Sequence, residues 1–359
     1  LLLFWSRDEK GKGESEVKQP YRMDEGAFVH HLNEAYGIAA RRLIFIPYGD
    51  SAYSYRVEGE NGTRYYLKLF DHGNDSHRQG ILRCRRYVPF MWELHQTGHF
   101  MELPCPFRTL SGAFLLSLSG CTAVLFQFIE GETWAEAYPF SKHKLERVGR
   151  LAARIQQLTP YTATSGLSSE TYDVSFSERL IQCLEQLEHL QPGASPASLV
   201  LRELVIPQQT RITELLHQIM GIRERLVLDP APNVLCHGDL WGGNLMETAD
   251  GRLIVLDWEA AMLAPPELDI VGYIGDGLGH FLTGYEQELG QQMELNPDLL
   301  RYYAYRHHLR NLTHWCMNIL QRDLEPDQLD NDLEMVRHHC LNRLDTVEAS
   351  LRNAADRNI

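Results

Sequence analysis

The sequence predicts an α+β protein of two lobes, an N-terminal antiparallel sheet followed by a larger and mostly helical part. Strand-like segments rich in aromatic and β-branched residues gather toward the N-terminus, at 53–57, 65–69 and 123–129. Farther on, Leu145, Val148, Leu151, Ala152, Ile155 and Leu158 fall at helical spacing, as do Ile212, Leu215, Leu216, Ile219 and Ile222. At 359 residues the chain exceeds the usual size of one core, which permits two lobes with a cleft between them.

The opening Leu1-Leu2-Leu3-Phe4-Trp5 is too short for a signal-peptide core and is followed by charges. Residues 6–19 are polar, residue 1 is not Met, and Met23 precedes the first helix-like segment, 25–35, so residues 1–22 are expected to be a loose tail extraneous to the fold. Phe45-Ile46-Pro47-Tyr48-Gly49-Asp50-Ser51 then leads into 53–57, a Gly59-Glu60-Asn61-Gly62 turn, and 65–69, reading as strand, loop, strand, turn, strand. Lys68 sits among alternating bulky residues on the third strand; by itself it fits a solvated strand lysine as well as a phosphate ligand. Gly49 and Ser51 are placed either to offer backbone N–H groups to a phosphate or to make a plain hairpin turn. A helix from about 80 to 96 has Glu93 as its only acid, close to the turn at Thr97-Gly98. Residues 162–175 and 191–198, rich in Ser, Thr and Pro, read as loops.

The densest chemistry lies between His237 and Glu259. His237-Gly238-Asp239-Leu240-Trp241-Gly242-Gly243-Asn244 follows a strand at 234–236, and Leu256-Asp257-Trp258-Glu259 follows an apolar run. Between them the Asp250-Gly251 pair supplies the turn conformation that hairpins favour, which folds Asp257 back beside Asn244. Phosphoryl transfer to an alcohol needs a carboxylate for the hydroxyl proton and Mg²⁺ to neutralise phosphate charge. Mg²⁺ prefers oxygen and takes one or two protein ligands besides phosphate and water. Asp239 fits the base, Asn244 and Asp257 the metal ligands, and Gly242 and Gly243 let backbone approach phosphate or metal. Singly, each polar residue here is an ordinary turn or cap residue.

This string resembles the catalytic and metal-binding loops of the aminoglycoside phosphotransferase and choline kinase superfamily, relatives of protein kinases. Ala264-Pro265-Pro266-Glu267-Leu268-Asp269-Ile270 is similar to the segment that follows the metal-binding loop there, and Tyr302-Tyr303-Ala304-Tyr305-Arg306 resembles a helix of its C-terminal lobe. The Asp257-Trp258-Glu259 triplet and the Ala264-Pro265 segment are nearest to the spectinomycin-phosphotransferase-like branch. The resemblance implies a two-lobed protein-kinase-like fold, with an N-terminal nucleotide lobe at 23–129 and a catalytic and acceptor-binding lobe at 130–359. It implies ATP and Mg²⁺, with Lys68 on the α- and β-phosphates, phosphates near Gly49 and Ser51, and adenine against backbone groups of Gln127 and Ile129. It gives His237 and Asp269 bracing roles, and it leaves the orienting partner of Lys68 open between Glu93 and some other group. Acceptor recognition falls to the C-terminal helices, with Asp276, Tyr302, Tyr305 and Trp315 as candidates that have core or surface roles as their alternatives.

A hydrophobic content of 44% and a charged content of 23% are those of a globular protein, and no apolar run reaches membrane-spanning length. The net charge of −14 argues against nucleic acid and for tolerance of a cationic acceptor. Asp323, Glu325, Asp327, Asp330, Asp332 and Glu334 form an acidic run that either attracts such an acceptor or is a solvated face. Seven cysteines without CxxC spacing read as reduced thiols of a cytoplasmic protein. The pairs His30-His31, His307-His308 and His338-His339 lack zinc spacing. The expected protein is a monomer or homodimer that phosphorylates a small-molecule hydroxyl. A spectinomycin-like antibiotic is the first expectation. The alternatives are a metabolite such as homoserine, thioribose, choline or a glycated amine, or a nucleotide-binding regulator without catalysis.

Overall fold

A computed structural model describes residues 19–47, 51–163, 165–322, 324 and 326–355. Helix α1 (Glu25–Tyr36) starts where the Asp24 carboxylate caps the amide of Ala27 and ends at Gly37 in the left-handed conformation. Strands β1 (Ala40–Ile46), β2 (Tyr53–Gly59) and β3 (Arg64–Asp71) follow, then helix α2 (Asp75–Gln96) and strands β4 (Leu115–Leu118) and β5 (Cys121–Gln127). They form one antiparallel sheet in the order β1-β2-β3-β5-β4.

The two-residue period of β3 sorts its side chains. Leu67 and Leu69 point to one face, where they pack with Phe28, Val29 and Leu32 of α1 and with Val57, Ala123 and Leu125. Lys68 and Phe70 point to the other, which joins the main core beneath α2. Register pairs Lys68 with Ser54 on β2 and with Val124 on β5, the centre of the sheet. Tyr21 also belongs to this lobe: its amide donates to the Tyr55 hydroxyl at 2.8 Å, and its ring packs against Tyr53. Helix α2 begins five residues before the expected start, because Asn74 caps the amides of Ser76 and His77.

Beyond β5 the chain is mostly helical. A short strand β6 (Glu132–Thr133) leads to α3 (Lys142–Gln157), α4 (Ser177–Glu188), α5 (Pro196–Val205) and α6 (Gln209–Leu228). The two apolar stripes at 145–158 and 212–222 are the buried faces of α3 and α6. Four short strands then frame the motif: β7 (Val234–Cys236), β8 (Leu245–Glu247), β9 (Leu253–Val255) and β10 (Met262–Ala264). β8 and β9 form the expected hairpin, β6 joins its edge, and β10 pairs with β7. Helices α7 (Glu267–Ile270), α8 (Leu278–Leu289) and α9 (Pro297–Gln321) follow, then α10 (Pro326–Glu334), a π-helical segment (Met335–Leu341) and α11 (Asn342–Ala355). Pro196 and Pro297 occupy first-turn positions, where the missing N–H costs nothing.

The lobes are joined by more than the chain. Glu102, in the segment between α2 and β4, accepts two hydrogen bonds from Arg154 of α3, at 2.7 and 2.9 Å. Its backbone oxygen accepts from the amide of Val255. No described helix is long and apolar enough to cross a membrane.

Candidate active site

Asp239 lies on the loop that leaves β7, and two devices fix that loop. The buried Asp269 carboxylate accepts the amides of His237 at 2.7 Å and Gly238 at 2.8 Å. His237, with no measurable exposure, reaches through Nε2 to the backbone oxygen of Leu256, which ties the loop to the residue before Asp257. Gly238 has φ +77°, and a Cβ there would sit 2.4 Å from the Ala260 oxygen, so the turn requires glycine. At Gly242 the close neighbour is the Trp134 backbone: a Cβ would lie 2.5 Å from the Trp134 oxygen, where phosphate or metal had been expected.

Asn244 turns its amide nitrogen inward, donating to the Asp239 carboxylate at 2.9 Å and to the Asp239 backbone oxygen at 2.8 Å. That orientation leaves its amide oxygen without a hydrogen bond among the described residues. Asp257 adopts the left-handed conformation, φ 53° and ψ 68°, which a side chain takes only where its surroundings enforce it. Its Oδ1 accepts from Lys68 Nζ at 2.6 Å across 189 residues of sequence. Burial works against the charge on both groups. The Asp257 carboxylate, with weaker help from Tyr87, Glu259 and Tyr66, outweighs burial and holds the Lys68 ammonium well above its ordinary pKa. The Lys68 charge and hydrogen bond likewise outweigh burial and hold the Asp257 carboxyl below its ordinary range.

Lys68 therefore has its carboxylate partner, and it is not Glu93, which is exposed and whose backbone oxygen accepts from Thr97 at the end of α2. Helix α2 instead presents Tyr87 toward Lys68 and Arg83 toward Glu259, whose charges are 3.9 Å apart. The Arg83–Glu259 pair was not expected from the sequence, since its partners lie 176 positions apart on unrelated segments. Ser51 stands at the bend that enters β2, and Gly49 lies outside the described residues. Gln127 ends β5 with its amide already given to the Cys105 oxygen at 2.8 Å, while Ile129 follows the strand, half-buried.

The donor set fits Mg²⁺: an amide oxygen and a carboxylate oxygen, both hard, with the second carboxylate oxygen committed to Lys68. Among the described residues no group of three or more His, Cys, Asp and Glu is arranged to hold a metal ion, the histidine pairs included. All seven cysteines are free and six are buried. Tyr302 and Tyr305 are core residues, their hydroxyls bound to the Asp173 oxygen and to Glu348. Trp315 is half-buried and Asp276 exposed. Of the acidic run, Asp332 is fully buried, and Asp323 and Glu325 lie outside the described residues.

A central strand lysine paired with the aspartate of a hairpin, beside an Asp–Asn loop and under a helical lobe, defines a two-lobed kinase-like phosphotransferase. The chain belongs to the phosphotransferase enzyme family, whose pattern it matches over residues 42–337. Its fold is that of spectinomycin phosphotransferase in complex with ADP and spectinomycin, with a TM-score of 0.71 at 18% identity over 88% of this chain and 94% of that one. An aminoglycoside phosphotransferase from Alicyclobacillus acidocaldarius overlays with a TM-score of 0.58 at 15% identity, covering 96% and 98% of the two chains. A choline kinase from Streptococcus pneumoniae gives 0.53 at 14% identity, covering 91% and 98%. No curated protein matches the sequence.

Proposed function

We propose that this phosphotransferase moves the γ-phosphate of ATP to a hydroxyl group of a small molecule, with Asp239 as the base. The observation that carries this reading is the convergence of three separate segments on two hydrogen-bonded pairs, Lys68–Asp257 and Asn244–Asp239, tied together where the Leu256 amide donates to the Asn244 backbone oxygen at 2.8 Å. Lys68 neutralises charge on the α- and β-phosphates, and backbone groups near Gly49, Ser51 and Ile129 hold the rest of the nucleotide. Because the Gln127 amide is engaged by Cys105, only its carbonyl remains for the adenine edge. Asn244 and Asp257 hold Mg²⁺, which when bound offsets the negative charge of the phosphates. Asp239, held by Asn244, orients the acceptor hydroxyl and takes its proton as the oxygen attacks the γ-phosphorus in line. A reducing, cytoplasmic setting agrees with seven unpaired cysteines.

For the acceptor, the Trp258-Glu259 ending and the fold shared with spectinomycin phosphotransferase put a spectinomycin-like aminocyclitol first. A metabolite alcohol is the second reading, and it is favoured by one observation, the exposed Arg310, whose guanidinium feels the charge of Asp239 and makes no hydrogen bond or ion pair among the described residues. The test is acceptor-dependent ADP release measured across spectinomycin, other aminoglycosides, macrolides, choline, homoserine and small polyols. Turnover on at least one is expected. ATP binding with no turnover on any would leave a nucleotide-binding regulator in place of an enzyme.

A further inference from the structure

Arg310 stands in an unusual position on α9. One turn earlier, Arg306 is fully committed: it grips the Glu170 carboxylate through both nitrogens at 3.0 and 2.9 Å, with Tyr302 and Tyr303 against its guanidinium. Glu170 also accepts the amides of Thr171 and Tyr172, and the oxygen of Tyr172 accepts from Arg223. This segment is anchored beside the catalytic loop, since Ser169 bridges Leu263 of β10, and β10 pairs with the strand that delivers Asp239. Residue 310, four positions on, shares that helix face.

Unlike Arg306, Arg310 is exposed and makes no hydrogen bond or ion pair among the described residues. Yet protein crowds around its guanidinium, and it lies close enough to Asp239, Asp173 and Glu170 to feel their charges. All three acids have other partners. Glu170 is consumed by Arg306, Asp173 binds the amide and hydroxyl of its neighbour Ser175, and Asp239 accepts from Asn244. Crowding, together with the Arg306 charge, pulls the guanidinium below its ordinary pKa, the mark of a cation whose surroundings do not fully compensate it. A guanidinium so placed matches a planar carboxylate or a phosphate with paired donors.

We infer that Arg310 is a specificity-determining residue of the acceptor site and that the acceptor carries an anionic group, a carboxylate or a phosphate, besides the hydroxyl that Asp239 activates. The inference rests on the phosphotransfer reading and, of the two acceptors proposed above, selects the metabolite alcohol over the spectinomycin-like aminocyclitol. Arg310 holds the anionic end of the acceptor while Asp239 addresses the hydroxyl end. An acceptor with only cationic substituents would bring its charge against this arginine.

The test uses matched polyols that differ in charge, gluconate, glucitol and glucamine, with glycerate, glycerol, aminopropanediol and glycerol phosphate as a shorter series and spectinomycin beside them. Steady-state turnover is measured for the full chain and for Arg310→Gln, Arg310→Lys and Arg310→Glu. The expected result is preference for an anionic member, with its KM raised about tenfold or more by Arg310→Gln and partly restored by Arg310→Lys. The neutral analogue should change by less than about twofold, and Arg310→Glu should shift preference toward the amine. Whether carboxylate or phosphate is the anion is read from glycerate against glycerol phosphate. Equal loss of kcat on every acceptor would assign Arg310 to the transferring phosphoryl group and overturn the inference. Preference for a neutral or cationic acceptor, untouched by the variants, would overturn it while leaving phosphotransfer intact. If no acceptor is consumed, calorimetric titration of gluconate and glycerol phosphate into protein saturated with a non-hydrolysable ATP analogue decides separately. Binding lost in Arg310→Gln sustains the inference, and no binding to the native chain refutes it.

Discussion

Lys68 Nζ and Asp257 Oδ1 meet at 2.6 Å, joining the centre of the N-terminal sheet to the hairpin of the helical lobe. The two sides of this pair are not equally buried, since the lysine side chain is 9% exposed and the aspartate 32%. Removing the aspartate strands the more deeply buried charge. Asp257→Asn is therefore expected to lose about 3–5 kcal/mol of stability, and Lys68→Met less, about 3 kcal/mol or below. Under the proposed function, nucleotide phosphates would supply the charge that the stranded lysine lacks. Adding an ATP analogue without metal should raise the melting temperature of Asp257→Asn and leave that of Lys68→Met nearly unchanged. Equal responses of the two variants would place the lysine away from the nucleotide.

Asp239 is held by Asn244 Nδ2 at 2.9 Å, and an asparagine at 239 keeps an acceptor for that bond while losing the base. Asp239→Asn should melt within a few degrees of the native chain and bind ATP with an affinity changed by less than about threefold. Its kcat should fall about 10²–10⁴-fold, the usual contribution of a positioned base. Turnover within tenfold of native would assign proton removal to another group.

The arrangement of the string from His237 to Glu259 was legible because its parts are contiguous. Asp239 and Asn244 share one loop, and the Asp250-Gly251 turn made the return of Asp257 a local matter. Alternation placed Lys68 on its strand and only the family resemblance gave it a role, while its partner could not be read at all, because the acid came from 189 residues away and α2 offered Tyr87 and Arg83 instead. The acceptor side was largely hidden for a related reason. In α9 the tyrosines, His307, His308 and Leu309 are buried around most of the helix, so periodicity does not separate a core face from a cleft face. The sequence drew attention to Tyr302 and Tyr305, which prove structural, and passed over Arg310. The commitment of Arg306 to Glu170 and the exposure of Arg310 distinguish the two arginines, and neither is written in the sequence.

Arg306 and Glu170 are 13% and 3% exposed, the most buried ion pair among those described. Burial alone would raise the Glu170 pKa, but the Arg306 bond and charge, with two backbone amides, bring it below the ordinary carboxylate value. A depressed carboxyl contributes stability that is present above its unfolded pKa and lost as pH falls through its folded one. In Arg306→Met burial is opposed by the two backbone amides alone, so the folded pKa rises and the contribution made by the ionised carboxylate is lost. The variant should lose about 3–5 kcal/mol at neutral pH. Its deficit against the native chain should shrink as pH is lowered below the carboxylate range, and Glu170→Gln added to it should recover part of the loss. A deficit independent of pH would mean that packing, and not charge, sets the cost.

His308 supplies a second titration, of opposite chemistry, on the same helix. It is 7% exposed, and burial, aided by the neighbouring charges of Arg343 and His339 against a hydrogen bond to the His339 backbone, lowers its pKa from 6.5 to about 4. Between these values the unfolded chain binds a proton that the folded chain refuses. Stability contributed by neutral His308 is therefore complete above pH 6.5 and drains away as pH falls toward about 4. The slope approaches about 1.4 kcal/mol per pH unit for one proton. Denaturant unfolding at pH 7.5, 6 and 5 should show this loss, and His308→Gln, which cannot take the proton, should show a flatter acid limb. If the native chain and the His308→Gln variant lose stability in parallel over that window, the proton uptake belongs to other groups.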